Sequence, residues 1–159
     1  SSDLGMTVIV PCDYAQTKAA TMAIAGHQGP VYLRFGRPVW PIFTSHLPFK
    51  IGEAQLLSEG TDVTIFACGH LVWKAVEAGL ALEEKGLSVE VINIHTIKPL
   101  DTEAVLRSIR KTKCAVTAEE HNIIGGLGDS IAQVAARHFP IPIEYVGTND
   151  TFSSILFFI

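Results

Sequence analysis

The sequence predicts an α/β fold in which an open, mostly parallel sheet carries helices on both faces. Short apolar runs alternate with helical stretches along most of the chain, a pattern typical of successive βαβ units. The composition agrees, because 48% of the 159 residues are hydrophobic and only 18% are charged. Such a composition suits a sheet that is buried on both faces.

The first strand-helix-strand unit occupies the beginning of the chain. The run "MTVIVP" (6–11) predicts a strand that ends at a proline, and Asp13 can cap a helix over 14–26. The run "VYLRFG" (31–36) predicts the second strand. A unit of this length implies a parallel pair of strands with a right-handed crossover.

Residues 37–53 interrupt the alternation. This segment contains three prolines and no apolar period, which predicts a linker at a domain boundary. Its aromatic residues Trp40, Phe43 and Phe49 predict that the linker packs against the rest of the chain.

A second series of strands and helices follows the linker. Its predicted strands are a weak one at 54–59 and stronger ones at 62–69, 88–95, 114–120 and 141–147. Its predicted helices are 71–86, about 101–112 and 128–139. In the first of these helices, the face expected to pack on the sheet consists of Leu71, Ala75, Ala78 and Leu82.

Charge and cysteine content exclude several classes of function. The net charge is -4, and the basic residues form no cluster, so the sequence predicts no nucleic-acid partner. No apolar run approaches the length of a membrane span, and no signal-peptide pattern is present, so it predicts no membrane partner. The three cysteines are widely spaced within apolar runs, which indicates reduced core cysteines and a cytoplasmic location.

Two arginines stand at the end of the second predicted strand. Arginine suits the binding of phosphate or carboxylate, because its N–H donors form a planar fork. Ligands of open α/β sheets collect at the carboxyl ends of strands. Arg37 follows Gly36 and lies past the strand, so it is the better candidate for an anion. Arg34 lies within the strand and is expected to pair with a neighbouring carboxylate.

The segment "EEHNIIGGLGDS" (119–130) places glycines between a strand and a helix. A helix N-terminus after such a turn can bind an anion. The spacing differs from the dinucleotide-binding fingerprint, however, and no phosphate-loop lysine follows. The segment is therefore interpreted either as a tight structural turn or as an anion-binding or interface turn. The residues of that turn are His121, Gly125, Gly126 and Gly128.

Two further groups of side chains have a chemical and a structural interpretation. Cys68 precedes a predicted helix and has His70 nearby, so it is either a nucleophile or, as we favour, a small core cysteine. Four possible metal ligands also lie at the ends of predicted strands: His95, Glu119, Glu120 and His121. We favour polar turn or interface residues over a metal site, because sequence spacing does not bring them together.

Several segments, taken in order, resemble the C-terminal part of a transketolase. They are "GPVYLRFGRP", "FKIGEAQLLSEGTDVTIFACG", "VEVINIHTIKPLD", "AVTAEEHNIIGGLGDSIAQV" and "EYVGTND". The resemblance implies that 1–36 ends a pyrimidine-binding domain, that 37–50 is a linker, and that 51–159 is the C-terminal domain. It further implies a three-layer Rossmann-like sheet with one antiparallel edge strand, at 54–59.

The resemblance also implies an activity for the intact enzyme. Transketolases transfer a two-carbon ketol unit between sugar phosphates, as in the pentose phosphate pathway, and use thiamine diphosphate and Mg²⁺. Arg37 matches the arginine that contacts the substrate phosphate, although a serine that accompanies it in the family is missing here. No "G-D-G…N" segment is present to hold Mg²⁺. The resemblance implies that the glutamate that activates the cofactor belongs to the first half of the pyrimidine-binding domain, which this chain lacks. We therefore expect this chain to bind no cofactor or metal and to contain no catalytic residue.

The expected partner is a second copy of the chain or the missing transketolase half, in a homodimer or a split-subunit assembly. One alternative is a non-catalytic assembly module that associates through apolar surface. The apolar tail Ile155–Ile159 is a candidate for such contacts. Another alternative is the C-terminal part of a related enzyme, either deoxyxylulose-phosphate synthase or the β subunit of a 2-oxo-acid dehydrogenase.

Overall fold

A computed structural model describes residues 5–37 and 39–149. In chain order, the strands are β1 (Thr7–Ile9), β2 (Val31–Leu33), β3 (Gln55–Ser58), β4 (Val63–Ala67), β5 (Val89–Asn93), β6 (Thr96–Lys98), β7 (Ala115–Asn122) and β8 (Ile143–Thr148). The helices are α1 (Tyr14–Ala25), α2 (Leu71–Glu83), α3 (Thr102–Thr112) and α4 (Leu127–His138). The apolar tail Ile155–Ile159 lies outside the described residues.

The main sheet has five strands in the order β3-β5-β4-β7-β8. The pairs β5-β4, β4-β7 and β7-β8 are parallel. The edge strand β3 runs antiparallel to β5, with Gln55 opposite Asn93. The expected Rossmann-like sheet with one antiparallel edge strand at 54–59 is therefore confirmed.

A smaller sheet of three strands has the order β2-β1-β6. Strands β1 and β2 are parallel, as the strand-helix-strand unit predicted. The sequence did not predict β6, which pairs antiparallel with β1 through Ile9 and Thr96. Because β6 follows β5 closely, this pairing joins the first unit to the main sheet.

Apolar side chains cover both faces of the main sheet and make a three-layer structure. On one face, α3 and α4 pack over Phe66 and Ile92, and Ile109 and Ile131 are fully buried there. On the other face, α2 packs over Ile65, Val89 and Val91, among other residues. Burial of this kind of surface contributes about 25 cal/mol per Å² of apolar area and is the main stabilising term.

The predicted inner face of α2 was wrong in part. The residues of α2 that are buried are Val72, Ala75 and Gly79, whereas Ala78 is exposed. Gly79 explains the difference, because a Cβ atom there would lie only 3.2 Å from Val91 Cγ2. The helix thus approaches the sheet through small residues, which a count of apolar side chains does not identify.

The carboxylate of Asp13 joins α1 to the segment that leads towards β3. Its Oδ1 atom accepts hydrogen bonds from the backbone N–H of Gln16 at 2.8 Å and from the hydroxyl of Thr44 at 2.7 Å. Its Oδ2 atom accepts from the backbone N–H groups of Phe43 and Thr44, both at 2.8 Å. Asp13 is therefore the predicted N-cap of α1 and also an anchor for the linker.

A buried amide network continues from this point into the main sheet. Gln16 Nε2 donates to Gln55 Oε1 at 2.7 Å, and Asn93 Nδ2 donates to the same oxygen at 3.1 Å. Gln55 Nε2 donates to the carbonyl of Pro48 at 2.7 Å. Helix α1, the linker and strands β3 and β5 are therefore connected by one set of hydrogen bonds.

The linker is also held by its aromatic residues, as predicted. The ring centroids of Phe43 and Trp73 are 5.4 Å apart. Those of Phe49 and His95 are 4.4 Å apart. These contacts attach the linker to the start of α2 and to the end of β5. The boundaries 1–36, 37–50 and 51–159 stay a prediction.

Across residues 5–37 and 39–149, none of the helices is long and apolar enough to cross a membrane.

We expect Asp13→Asn to lower the free energy of unfolding by about 2 kcal/mol, because an amide cannot accept four hydrogen bonds as a carboxylate does. Burial raises the pKa of Asp13, but the bonds from Gln16, Thr44 and Phe43 outweigh burial and lower it below its ordinary value of 3.8. The stabilisation should therefore be complete above that value and be lost as the pH falls through the lowered pKa.

The measurement is denaturant unfolding from about pH 7 down to about pH 3. Wild type should lose stability on acidification more steeply than Asp13→Asn. Glu77→Gln, at an exposed carboxylate of α2, is the control and should change little. Equal acid sensitivity of wild type and Asp13→Asn would contradict this role for Asp13.

Candidate functional site

The candidate site lies where β1, β2 and β4 end and α2 begins. A cavity of about 470 Å³ opens there between the first unit, the linker and the start of α2. Its wall includes Cys12, Asp13, Thr17, Gly36, Trp40 and His70. Four large apolar side chains beside it are mostly exposed: Tyr14 (70%), Phe35 (61%), Val39 (98%) and Ile42 (57%). The cavity is thus bordered by apolar surface of the kind that usually contacts another molecule.

A charged network crosses the junction beside this cavity. Arg34, just after β2, donates to Glu120 Oε1 at 2.9 Å. The Nδ1 atom of His70 lies 2.8 Å from Glu120 Oε2. The ring nitrogen is the donor in this contact, since a carboxylate offers only acceptors. The predicted pairing of Arg34 with a carboxylate is confirmed, and Glu120 of β7 is its partner.

Arg37 lies beyond β2 and is exposed, as expected for this chain. It follows Gly36, which packs directly against the ring of His70. A Cβ atom at Gly36 would lie 2.0 Å from His70 Cε1. The binding of a substrate anion by Arg37 stays a prediction at this point.

The glycine-rich turn is filled by a carboxylate of the chain itself. Glu119, which is buried, accepts from the backbone N–H groups of Leu127 at 2.8 Å and Gly128 at 2.9 Å. A Cβ atom at Gly126 would lie 1.9 Å from Glu119 Oε2. Glu119 therefore occupies the positive end of the helix dipole at the N-terminus of α4.

Two of the remaining residues of this turn are open to solvent, and Gly128 is buried. His121 and Gly125 are exposed, and Gly125 has the positive φ of 76° that favours glycine. Gly128 packs against Tyr145, whose Cε1 atom would lie 2.3 Å from an added Cβ. A role of the turn in binding an anion or an interface stays a prediction.

Cys68 has the properties of a core residue rather than of a nucleophile. It is 5% exposed, and burial, aided by the charge of Glu119, raises its pKa to about 12. A thiol with such a pKa carries almost no thiolate at neutral pH. Burial likewise raises the pKa of Cys12. The favoured interpretation of Cys68 as a small core cysteine is confirmed.

The possible metal ligands do not form a metal site in the described part of the chain. Residues 5–37 and 39–149 include no group of three or more His, Cys, Asp or Glu side chains that could hold a metal ion. His95 is fully buried, and burial lowers its pKa to about 4. Its Nδ1 atom lies 2.9 Å from Thr96 Oγ1. Instead, Glu119 accepts hydrogen bonds from the N-terminus of α4. Glu120 belongs to the charged network with Arg34 and His70.

Sequence reasoning missed two parts of this site. His70 was considered only as a partner of Cys68, and Glu120 only as a metal ligand or polar turn residue. A usable signal was the position of His70 at the turn between β4 and α2, since turns of this kind lie at the ligand-binding edge of an α/β sheet.

The fold and the site define a Rossmann-like α/β domain joined to a strand-helix-strand unit, with charged groups at their junction. Residues 52–156 match the family described as "Transketolase, C-terminal domain". The chain belongs to the transketolase family.

Comparison with known proteins agrees with this assignment. The chain is 46% identical over 152 residues to the 6-deoxy-6-sulfo-D-fructose transketolase subunit SqwH of Clostridium sp. (strain MSTE9), a match that covers 95% of this chain and 47% of the relative. It is 37% identical over 135 residues to 1-deoxy-D-xylulose-5-phosphate synthase 1 of Geobacter sulfurreducens, covering 83% of this chain and 21% of that protein.

A solved structure named "Split gene transketolase, inactive beta4 tetramer" superposes with a TM-score of 0.92 at 44% sequence identity. The superposition covers 96% of this chain and 51% of that one. The chain thus spans about half the length of the SqwH subunit and of this solved chain.

We expect the three cysteines to differ in their reactivity towards a thiol reagent. Cys114 is half-buried and should react with a disulfide reagent in the native protein, whereas Cys12 and Cys68 should react only after unfolding, because they are buried and protonated. The absorbance of the thiolate that the reagent releases, measured with and without denaturant, gives the number of reactive cysteines in each state. Cys114→Ser is the control and should abolish the native reaction. Rapid native modification of Cys68 would contradict its assignment to the core.

Proposed function

We propose that this chain supplies the C-terminal part of a thiamine-diphosphate-dependent transketolase that transfers a two-carbon ketol unit between sugar phosphates. The observation that carries the proposal is the similarity to the transketolase subunit SqwH. Because that match covers 95% of the chain, it includes the strand-helix-strand unit, the linker and the main sheet together. We place the assembled enzyme in the cytoplasm, on the basis of the reduced core cysteines.

The chain's own residues do not fit the cofactor. Holding its diphosphate through Mg²⁺ requires oxygen ligands from the protein, and the described residues contain no cluster of metal-ligating side chains. The sequence has no "G-D-G…N" segment either. We therefore assign the cofactor chemistry to the other half of the enzyme and derive no step of it here.

In this proposal, Arg37 binds the anionic group of the substrate at the edge of the active site. We call this position the anion rim. The position of Arg37 past the end of β2 and its exposure support that role, as does the preceding residue, Gly36, which lines the open cavity. An arginine hydrogen bond to an anion contributes about 1.5–3 kcal/mol. The relative that is named for a sulfonated sugar suggests a second substrate class, because a sulfonate and a phosphate both present tetrahedral oxyanions.

The chain also contributes assembly surface. Tyr14, Phe35, Val39 and Ile42 expose apolar area around the cavity. Apolar surface that is exposed and concentrated in this way indicates a binding partner, here the remaining parts of the enzyme or a second copy of the chain. The solved structure named "Split gene transketolase, inactive beta4 tetramer" supports self-association. The alternative is a purely non-catalytic assembly module. In that case the complex would form but would gain no activity.

A second candidate activity is that of a deoxyxylulose-phosphate synthase. The 37% identity to 1-deoxy-D-xylulose-5-phosphate synthase 1 favours it. The two candidates differ in their products. Ketol transfer between sugars, without formation of 1-deoxyxylulose 5-phosphate from pyruvate, supports the transketolase. The opposite result supports the synthase.

We expect activity only after complementation. The chain alone should show no binding heat with thiamine diphosphate and Mg²⁺ and no ketol transfer, whereas its complex with the remaining parts of the enzyme should show both. Titration calorimetry and a coupled ketol-transfer assay measure this, and sedimentation velocity reports whether the complex forms. A stoichiometric heat with the chain alone would contradict the assignment of the cofactor site. A complex that forms but stays inactive with sugar phosphates would support the assembly module.

We expect Arg37→Ala in this complex to raise KM for a phosphorylated acceptor roughly 10- to 100-fold, because a charged hydrogen bond to the anion is lost. KM for an unphosphorylated acceptor should stay unchanged. Arg107→Ala, at an exposed arginine of α3, is the matched control and should resemble wild type. An equal effect of Arg37→Ala on both acceptors would contradict anion binding by Arg37.

A further inference from the structure

His70 connects three segments at the junction between the first unit and the main sheet. It lies at the turn between β4 and α2, and its side chain is 12% exposed. Its Nδ1 atom contacts Glu120 at 2.8 Å, and its ring centroid lies 5.0 Å from that of Trp40 in the linker. The third contact is with the backbone at Gly36, directly before Arg37.

The contact with Gly36 leaves no room for a side chain. A Cβ atom there would lie 2.0 Å from Cε1 and 2.8 Å from Nε2 of His70. Separations under 3 Å require one of the two groups to move. The backbone φ of Gly36 is not in the positive region, where Gly29 of the same unit is found. The glycine is therefore required by the imidazole ring that packs on it and not by its own backbone conformation.

Glu120 holds this arrangement from the main sheet. One carboxylate oxygen accepts from Arg34, and the other accepts from His70. The Arg34 backbone N–H also donates to the carbonyl of Ile9 at 2.9 Å. The segment that leaves β2 is thus held at Arg34 by an ion pair and, two residues later, at Gly36 by the ring of His70.

We propose that His70, oriented by Glu120, is a positioning residue that fixes the backbone at Gly36 and thereby places Arg37 on the anionic group of the substrate. This inference rests on the proposed function of Arg37. Under this inference, the C-terminal domain affects substrate specificity through His70, in the turn that precedes α2. In this role His70 acts through the backbone at Gly36 and not by binding the anion itself.

A double-mutant cycle between Gly36→Ala and His70→Ala tests the contact in the complex with the remaining parts of the enzyme. Each single variant should raise KM for a phosphorylated acceptor about tenfold, with kcat and the unphosphorylated acceptor nearly unchanged, because misplacement of Arg37 weakens anion binding. The double variant should be no worse than either single variant, since removal of the ring makes space for the added Cβ atom. Such non-additivity is the mark of a direct contact.

Further variants separate the two functions of the His70 side chain. His70→Asn keeps a donor for Glu120 but loses the ring, whereas His70→Phe keeps a ring against Gly36 but loses the donor. We expect each to recover part of the affinity that His70→Ala loses. Glu120→Gln should raise KM for the phosphorylated acceptor in the same selective way. Glu77→Gln removes the charge of an exposed carboxylate of α2 that pairs with Lys74, and this control should match wild type.

The outcomes distinguish this inference from the proposed function. If Arg37→Ala is selective for the phosphorylated acceptor but the Gly36 and His70 effects are additive, the positioning role is wrong and anion binding by Arg37 stands. The positioning role is equally wrong if His70→Ala weakens both acceptors alike while folding and complex formation are retained. If Arg37→Ala itself shows no selectivity, both the proposed anion rim and this inference fail.

Discussion

The buried carboxylate of Asp13 is the interaction on which the junction of the two structural units depends. One group caps α1 and holds the linker, so that α1 and Thr44 are fixed relative to each other. Removing a charge from water is costly, and four hydrogen bonds compensate for it here. The amide network of Gln16 and Gln55 begins in the first turn of α1 and extends this connection to the edge strand β3. The cavity and the charged network lie on the surface that this junction creates.

Much of the fold could be predicted because it follows from local pattern. Apolar runs located the strands of the main sheet, and the weak run at 54–59 is the antiparallel edge strand. Strand β6 could not be found in this way, since it has three residues and its partner β1 lies far away in sequence. The predicted inner face of α2 was wrong in part, because Gly79 and not Ala78 packs against the sheet. Close backbone approach leaves no signal in hydrophobicity.

The candidate site was less predictable, because its chemistry depends on which charges become partners in space. Arg34 was expected within the second strand, which was wrong because β2 ends at Leu33, but its expected carboxylate partner is present as Glu120. The neighbouring carboxylates Glu119 and Glu120 look alike in sequence but have different roles. Glu119 neutralises the N-terminus of α4, and Glu120 joins Arg34 to His70. Only tertiary packing decides between such assignments.

The pairing of β1 on both of its edges also constrains motion. Its parallel neighbour is β2 and its antiparallel neighbour is β6, which continues the chain from the main sheet. A rigid-body rotation of the first unit would have to break the β1-β6 hydrogen bonds, together with the contact between Gly69 N–H and the carbonyl of Val10 at 3.2 Å. A domain boundary in sequence is often a hinge. In this chain backbone hydrogen bonds hold the first unit to the main sheet beside the predicted boundary, so a hinge motion there would have to break them first.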